Sequence, residues 1–242
     1  MKVLDGKKLS EKILENLRKE IEKKQLKLKL AVVLVGEDPS SKIFVRQKKK
    51  ACQKIGIDFQ LFQFPEKIRE ANLLKEIKII IKDDSISGIV VQLPLPEDIN
   101  TDEILKLIPE EKDAEIISPV VCAIDRILKE YKISLKNKKI VLIGKGRLVG
   151  QPMAIWLKKQ NLKFSYSDVD RIKQADIIIS GIGKHNFIKG KTIKKGVIII
   201  DVGGDVDFES VSERAGYMTP TPGGVGPMTV ACLLKNLVES KK

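Results

Sequence analysis

Three features of this chain combine residue types and spacings suited to chemistry: a lysine, a glutamine and a glycine-proline strap. Lys48 falls in a helical pattern over residues 40–55, whose one face collects Ser41, Phe44, Val45, Lys48, Ala51, Cys52 and Ile55. That face is apolar apart from the serine and the lysine. Two environments are open to such an amine. Either it snorkels to water from the margin of the stripe, or it sits in a partly dry cleft, where desolvation lowers its pKa and lets it move protons near neutrality. Gln92 is the polar member of Val90-Val91-Gln92-Leu93-Pro94-Leu95-Pro96, at the carboxyl edge of a buried strand where open α/β sheets bind ligands. Its amide serves either a ligand or its own loop. The prolines fix the exit path, and Lys112-Asp113-Ala114-Glu115 adds carboxylates in a following loop.

The run from Pro220 to Thr229 places three glycines beside three prolines. Glycine tolerates positive φ and lets a planar group lie against the main chain. Pro227 suits the first turn of a helix over 228–239 whose unpaired N–H groups face the strap. The run is either a ligand-holding loop or a tight turn. A second glycine loop, Gly144 to Gly150, lies between a buried strand and a helix, where a pyrophosphate would meet a helix N-terminus. Its GxGxxxG spacing is one residue longer than the usual dinucleotide fingerprint. Lys145 and Arg147 suit the ribose phosphate of NADP, whereas Asp168 after the next strand suits the ribose hydroxyls of NAD. The balance favours NADP, with NAD the alternative.

These groups need a scaffold, and apolar periodicity supplies one. The pattern alternates between helix and strand types: a helix marked by Leu9, Ile13, Leu17 and Ile21, a strand at 30–35, the helix 40–55, and an alternating strand through Ile57, Phe59 and Leu61. A helix at 68–82, a strand at 88–92 and helices at 101–108 and 123–131 follow. Strands at 139–143, 164–167, 175–180 and 196–201 then surround a helix through Trp156, which reads as core. Such βα alternation with continuous apolar strands predicts parallel sheets covered on both faces. The expected fold class is α/β, with two lobes around a cleft. Residues 1–118, completed by the helix 228–242, form an N-terminal catalytic domain, and 119–227 a Rossmann-like NAD(P)-binding domain.

The net charge of +13 raises the question of nucleic acid, but aromatics are only 5% of the chain and basic residues alternate with acidic ones, as on a solvated surface. No nucleic-acid partner is expected, although an anionic small molecule would find this surface attractive. No apolar run approaches the roughly 18–20 residues of a membrane span, and residues 1–21 lack a signal peptide's apolar core. A cytoplasmic protein without a membrane partner is expected. Cys52, Cys122 and Cys232 are too scattered for a disulfide framework or a zinc site, so no metal is expected. His185, the only histidine, reads as a surface residue rather than a base.

The helix 40–56, the strand exit Val91-Gln92-Leu93-Pro94-Leu95-Pro96, the loop 144–152, the strand 197–203 and Pro222-Gly223-Gly224-Val225-Gly226-Pro227-Met228-Thr229 together resemble the bifunctional methylenetetrahydrofolate dehydrogenase/methenyltetrahydrofolate cyclohydrolase family. The resemblance runs in order over nearly the whole chain. It implies oxidation of methylenetetrahydrofolate by hydride transfer to NADP, then hydrolysis of the methenyl cation to formyltetrahydrofolate. It implies that Lys48 assists proton transfer and water attack, that Gln92 hydrogen-bonds Lys48, and that Glu115 binds the pterin's amino edge. Phe44 would stack on the substrate ring, with Ser41, Val91, Leu93 and the segment Pro222, Gly223, Gly224, Val225 and Gly226 lining the folate. Gly144, Lys145, Gly146, Arg147, Ser167 and Gly204 would hold the cofactor, and a homodimer is implied. The chain departs from the pattern in several places. The family usually has tyrosine at Phe44, aspartate at Glu115, Arg-Ser at Lys145-Gly146 and isoleucine at Gly204, near the nicotinamide. The segment after Glu115 is shorter and lacks a Pro-Cys-Thr-Pro stretch.

Overall fold

The structure is a computed structural model that describes residues 1–167 and 169–241, without the side chains of Val169 and Asp170. Asp168, the residue favouring NAD, lies outside the described residues. Along the chain run β1 (Lys2–Val3), α1 (Gly6–Lys24), β2 (Lys29–Val35), α2 (Pro39–Ile55), β3 (Asp58–Phe64), α3 (Glu70–Lys82), β4 (Gly88–Val91), α4 (Thr101–Lys106) and α5 (Pro119–Glu130). They are followed by β5 (Ile140–Ile143), α6 (Gly150–Lys159), β6 (Phe164–Tyr166), α7 (Val169–Gln174), β7 (Ile177–Ser180), β8 (Ile198–Asp201), α8 (Phe208–Ser212), β9 (Tyr217–Met218) and α9 (Val225–Glu239). The chain divides into two compact units, Met1–Ser10 with Ser118–Cys232, and Glu11–Ile117 with Leu233–Lys242.

The second of these units is built on a parallel sheet of order β3-β2-β4. Central β2 is buried from Leu30 onward, as expected of a strand with both faces covered. On one face Leu73, Ile77 and Ile80 of α3, at helical spacing, pack with Val33, Val35, Ile89 and Val91. The edge strand β3 presents Phe62 and Phe64 to this cluster, while Leu61 stays exposed. The alternation therefore counts from Phe62 toward this core, not from Leu61. A Cβ on Gly88 would stand 2.5 Å from Leu237 Cδ1, so glycine at the start of β4 lets the C-terminal half of α9 close on the sheet.

The other unit has a parallel sheet of order β1-β9-β8-β7-β5-β6, with Val141, Ile143, Ile178, Ile199 and Met218 in its core. Its outer strands β1 and β9 are two residues each and carry too little pattern to be read from sequence. Their pairing places Met1–Ser10 in this unit, whereas the sequence reading grouped residues 1–10 with the first domain. The Leu4 N–H donates to Met218 O at 2.8 Å, and the Leu4 side chain is fully buried. Helix α9 begins at Val225, so Pro227 lies within its first turn, where no proline N–H is missed. Trp156 is not core: α6 buries Met153, Ala154 and Leu157, and Trp156 lies half-exposed at the stripe's edge.

Candidate active site

Helix α2 is set by its ends. The Asp38 carboxylate accepts from the Ser41 N–H at 2.7 Å, Pro39 opens the first turn, and Gly56 closes the helix at φ 79°, with its N–H donating to Cys52 O. This register turns Ser41, Val45, Lys48, Ala51, Cys52 and Ile55 inward and leaves Phe44, one turn before Lys48, 38% exposed. Lys48 is 6% exposed, which decides between the two environments in favour of the dry one. Its Nζ donates to Gln92 Oε1 at 2.9 Å. Gln92, buried beyond the end of β4, donates from Nε2 to Leu93 O at 2.8 Å, and its backbone N–H donates to Val33 O. With both ends bonded, the amide oxygen must face the amine.

Burial pushes the Lys48 pKa below the usual lysine range, against the raising effect of the Glu115 charge. Burial likewise raises Glu115, opposed by Lys48 and reinforced by Asp113. Glu115 thus belongs with Lys48 and Gln92 in one electrostatic group. Its loop is built by the sheet: Ile89 N–H donates to Lys112 O at 2.7 Å, and Ala114 N–H returns to Ile89 O. Asn236 on α9 ties the loop further, donating to Ala114 O and Ile117 O. Two further members, Cys52 and Asp113, stand in the sequence reading without a role in this group. Cys52, one turn after Lys48, has its thiol pushed up to about 12 by burial, so it remains protonated beside the amine. Asp113, raised by burial, caps its own loop by accepting from Glu115 N–H at 2.8 Å.

The other unit holds the two glycine loops. In the strap, Gly223 sits at φ 108° with open space at its Cβ position, whose nearest neighbour is Pro220 Cγ at 3.8 Å. Gly224 serves packing instead: a Cβ there would lie 2.5 Å from Pro220 O, and one on Gly6 would lie 2.0 Å from Gly224 O. Pro222 is exposed, Gly226 half-buried, and the Val225 side chain points into the core.

In the loop after β5, Gly144 has φ 101°, and a Cβ on Gly150 would meet Gly144 O at 2.1 Å, so the turn closes onto the first residue of α6 only with glycine there. A Cβ on Gly144 would strike Ile182 Cγ2 at 2.6 Å, and one on Gly181 would strike Val149. The loops after β5 and β7 are therefore in contact through missing side chains. At Gly146 an added Cβ meets nothing within 4 Å, leaving open main chain beside the start of α6. These features fit a dinucleotide phosphate. Lys145 Nζ lies 5.0 Å from the centre of the Tyr166 ring at the end of β6, Arg147 is exposed on the same loop, and exposed Ser167 donates its N–H to Leu142 O.

A buried carboxylate pair was also missed. Asp205 is fully buried, accepting from Ser180 Oγ, Ile182 N–H and Lys184 N–H. Asp201, its pKa raised by burial, accepts from the Gly204 and Asp205 N–H groups. The available signal was a serine and an aspartate ending two apolar strands.

Comparison with known proteins divides the chain once, in sequence order. Residues 4–115 match the family model described as tetrahydrofolate dehydrogenase/cyclohydrolase, catalytic domain, and residues 118–242 match that of its NAD(P)-binding domain. A protein from Nautilia profundicola, named Bifunctional protein FolD, is 43% identical over 279 positions that cover 100% of this chain and 98% of its own length. Against the 242 residues here, those 279 positions leave 37 in the aligned region without a counterpart. The crystal structure of the bifunctional FolD enzyme from Campylobacter jejuni superposes with a TM-score of 0.89 at 39% identity, covering 99% of this chain and 98% of that one. A Trypanosoma brucei methylenetetrahydrofolate dehydrogenase-cyclohydrolase, solved with an NADP cofactor and inhibitor, gives a TM-score of 0.92 at 28% identity, covering 98% and 96%. With a lysine–glutamine pair in one unit, a glycine loop between strand and helix in the other and both family models matched in sequence order, this chain belongs to the tetrahydrofolate dehydrogenase/cyclohydrolase family.

Proposed function

We propose that the chain oxidises methylenetetrahydrofolate to methenyltetrahydrofolate with NADP and hydrolyses the product to formyltetrahydrofolate, with Lys48 as the proton-handling group of the hydrolysis. The observation that carries the assignment is the buried hydrogen bond from Lys48 Nζ to Gln92 Oε1, within the field of Glu115. NADP, when bound, supplies the hydride acceptor. In the hydrolysis, the Lys48 amine, whose charged form burial disfavours, takes a proton from the water that attacks the methenyl carbon. As the carbon–nitrogen bond breaks, that proton passes to the departing ring nitrogen while the added hydroxyl gives its own proton to solvent and becomes the formyl carbonyl. Gln92 holds the amine in place by accepting one of its hydrogens, which keeps the nitrogen lone pair from turning toward the amide. Glu115 tempers the desolvation of the amine and receives the pterin's amino edge. Exposed Phe44, one turn from Lys48, offers its ring for stacking, and Ser41 with the strand exit at Val91 and Leu93 completes the proposed folate-binding set. Pro222 and Gly223 form the open part of the strap. Gly144, Lys145, Gly146, Arg147, Ser167 and Gly204 hold NADP; the two cations on the loop favour it over NAD.

The test is the purified chain assayed for methylenetetrahydrofolate-dependent NADPH formation and, separately, for methenyl hydrolysis. Lys48→Met is expected to lower hydrolysis by about 10²–10⁴-fold in a protein that stays folded at the assay temperature but with a lower thermal midpoint, because Gln92 Oε1 loses its buried partner. Retained hydrolysis would remove Lys48 from the mechanism.

The chain further reads as a homodimer, supported by the unpaired edge of β3 with its exposed Leu61. Sedimentation equilibrium is expected to return twice the chain mass of 27.1 kDa. A cytoplasmic setting is supported by three cysteines outside any disulfide and by the finding that, among the described residues, no helix is long and apolar enough to cross a membrane.

A further inference from the structure

We infer, building on the NADP-dependent reading above, that His185 contacts the nicotinamide end of the bound dinucleotide and forms, with Gly204 and Thr221, the wall that positions it. The sheet order places a topological switch between β5 and β7: from β5 the chain moves outward to β6, then returns to β7 on the opposite side. Ligands of open parallel sheets lie outside the carboxyl ends of the strands at such a point. The pyrophosphate is met where the turn 144–150 enters α6. Toward β6 stand Lys145 and Tyr166, suited to the phosphorylated adenosine half. The other half of an extended dinucleotide must therefore run over the ends of β7 and β8.

Those ends are the loops 181–187 and 202–205, and they converge on Gly204. A Cβ built there would lie 3.5 Å from His185 Cε1 and 3.4 Å from Thr221 Cγ2. The imidazole thus packs beside open main chain while remaining solvent-exposed. Its support is rigid. The fully buried Asp205 holds the Ile182 N–H at 2.9 Å and the Lys184 N–H at 2.7 Å, so the residue immediately before His185 is tied down. A Cβ on Gly203 would strike Asp205 Oδ1 and Gly183 N, both at 2.8 Å, so this junction admits only glycine. A histidine held in this way offers an aromatic face together with two ring nitrogens that can hydrogen-bond. A planar ring bearing a carboxamide requires those groups.

Because the chain has one histidine, its imidazole C–H signals are a single-site reporter in an NMR spectrum of the whole protein. Titrations with NADP and with adenosine 2′,5′-bisphosphate, each with binding registered separately by calorimetry, are expected to separate the two halves of the cofactor. NADP should shift the histidine signals, and bound bisphosphate should leave them in place. His185→Ala should raise the Kd for NADP roughly three- to tenfold, the equivalent of one net hydrogen bond, without changing the Kd for the bisphosphate or the thermal midpoint. NADP that binds without moving the signals overturns the role of His185 and leaves the NADP assignment standing. Equal shifts with both ligands overturn it too, by placing the histidine at the adenosine end. Failure of NADP to bind overturns both.

Discussion

At the scale of single residues, the functional group is defined by what burial does to charge. Lys48 loses its proton more easily because water is excluded from it, and Glu115 partly restores the affinity. Removing the Glu115 charge therefore has a definite sign. In Glu115→Gln the Lys48 pKa falls further, and since the neutral amine is the base, the rising limb of the pH–kcat profile for methenyl hydrolysis moves to lower pH. A limb that stays put or moves up would detach Glu115 from the amine. Lys48 was legible in the sequence because a lysine interrupting a helical apolar stripe is a pattern. Its partner Gln92 was legible because the strand before it is continuous. The roles of Asp113 and Asp205 were not, since an acidic residue in a loop looks the same whether it faces water or is enclosed by N–H groups, and only three-dimensional neighbours tell the two apart.

At the scale of elements, the junction of β5 with α6 shows how closely backbone approach governs the cofactor loop. Gly150→Ala would put a methyl 2.1 Å from Gly144 O, and overpacking of this kind costs about 1–3 kcal/mol. A lowered thermal midpoint and at least a tenfold weaker NADP Kd are expected. Gly146→Ala is the contrast, because its methyl would meet no protein atom. Its thermal midpoint should match the parent, so any weakening of NADP measured by calorimetry reports the ligand lying over that glycine, and unchanged affinity would move the phosphate elsewhere. The long elements were readable from periodicity, whereas β1, β9, α7 and α8 were not, being two to six residues each. Trp156 failed for a related reason. Aromatic size suggests core, but rotation about α6 gives Met153 and Leu157 the buried positions.

At the scale of the whole molecule, chain order and compact unit do not coincide. The first ten residues join a sheet made mostly of residues beyond 118, while the last ten complete the other unit. The sequence showed two α/β halves, as the parallel sheets and both family models bear out, yet the crossing of the terminal segments depends on pairings too short to leave a pattern. Leu4 tests the crossing. Leu4→Ala empties a fully buried position, at a cost of about 2–5 kcal/mol, and hydrogen exchange should quicken in β8 and β9 while β2 and β4 keep their protection. Uniform quickening across both sheets would show that the two units unfold as one.

The pairing of β1 with β9 also sets an order of events on the ribosome. Lys2 and Val3 are made well before Tyr217 and Met218, the residues they face across the ladder. The β3-β2-β4 strands can be laid down while translation continues, whereas the nascent β1 must wait without a mate until β9 has been made, so that sheet closes after the other.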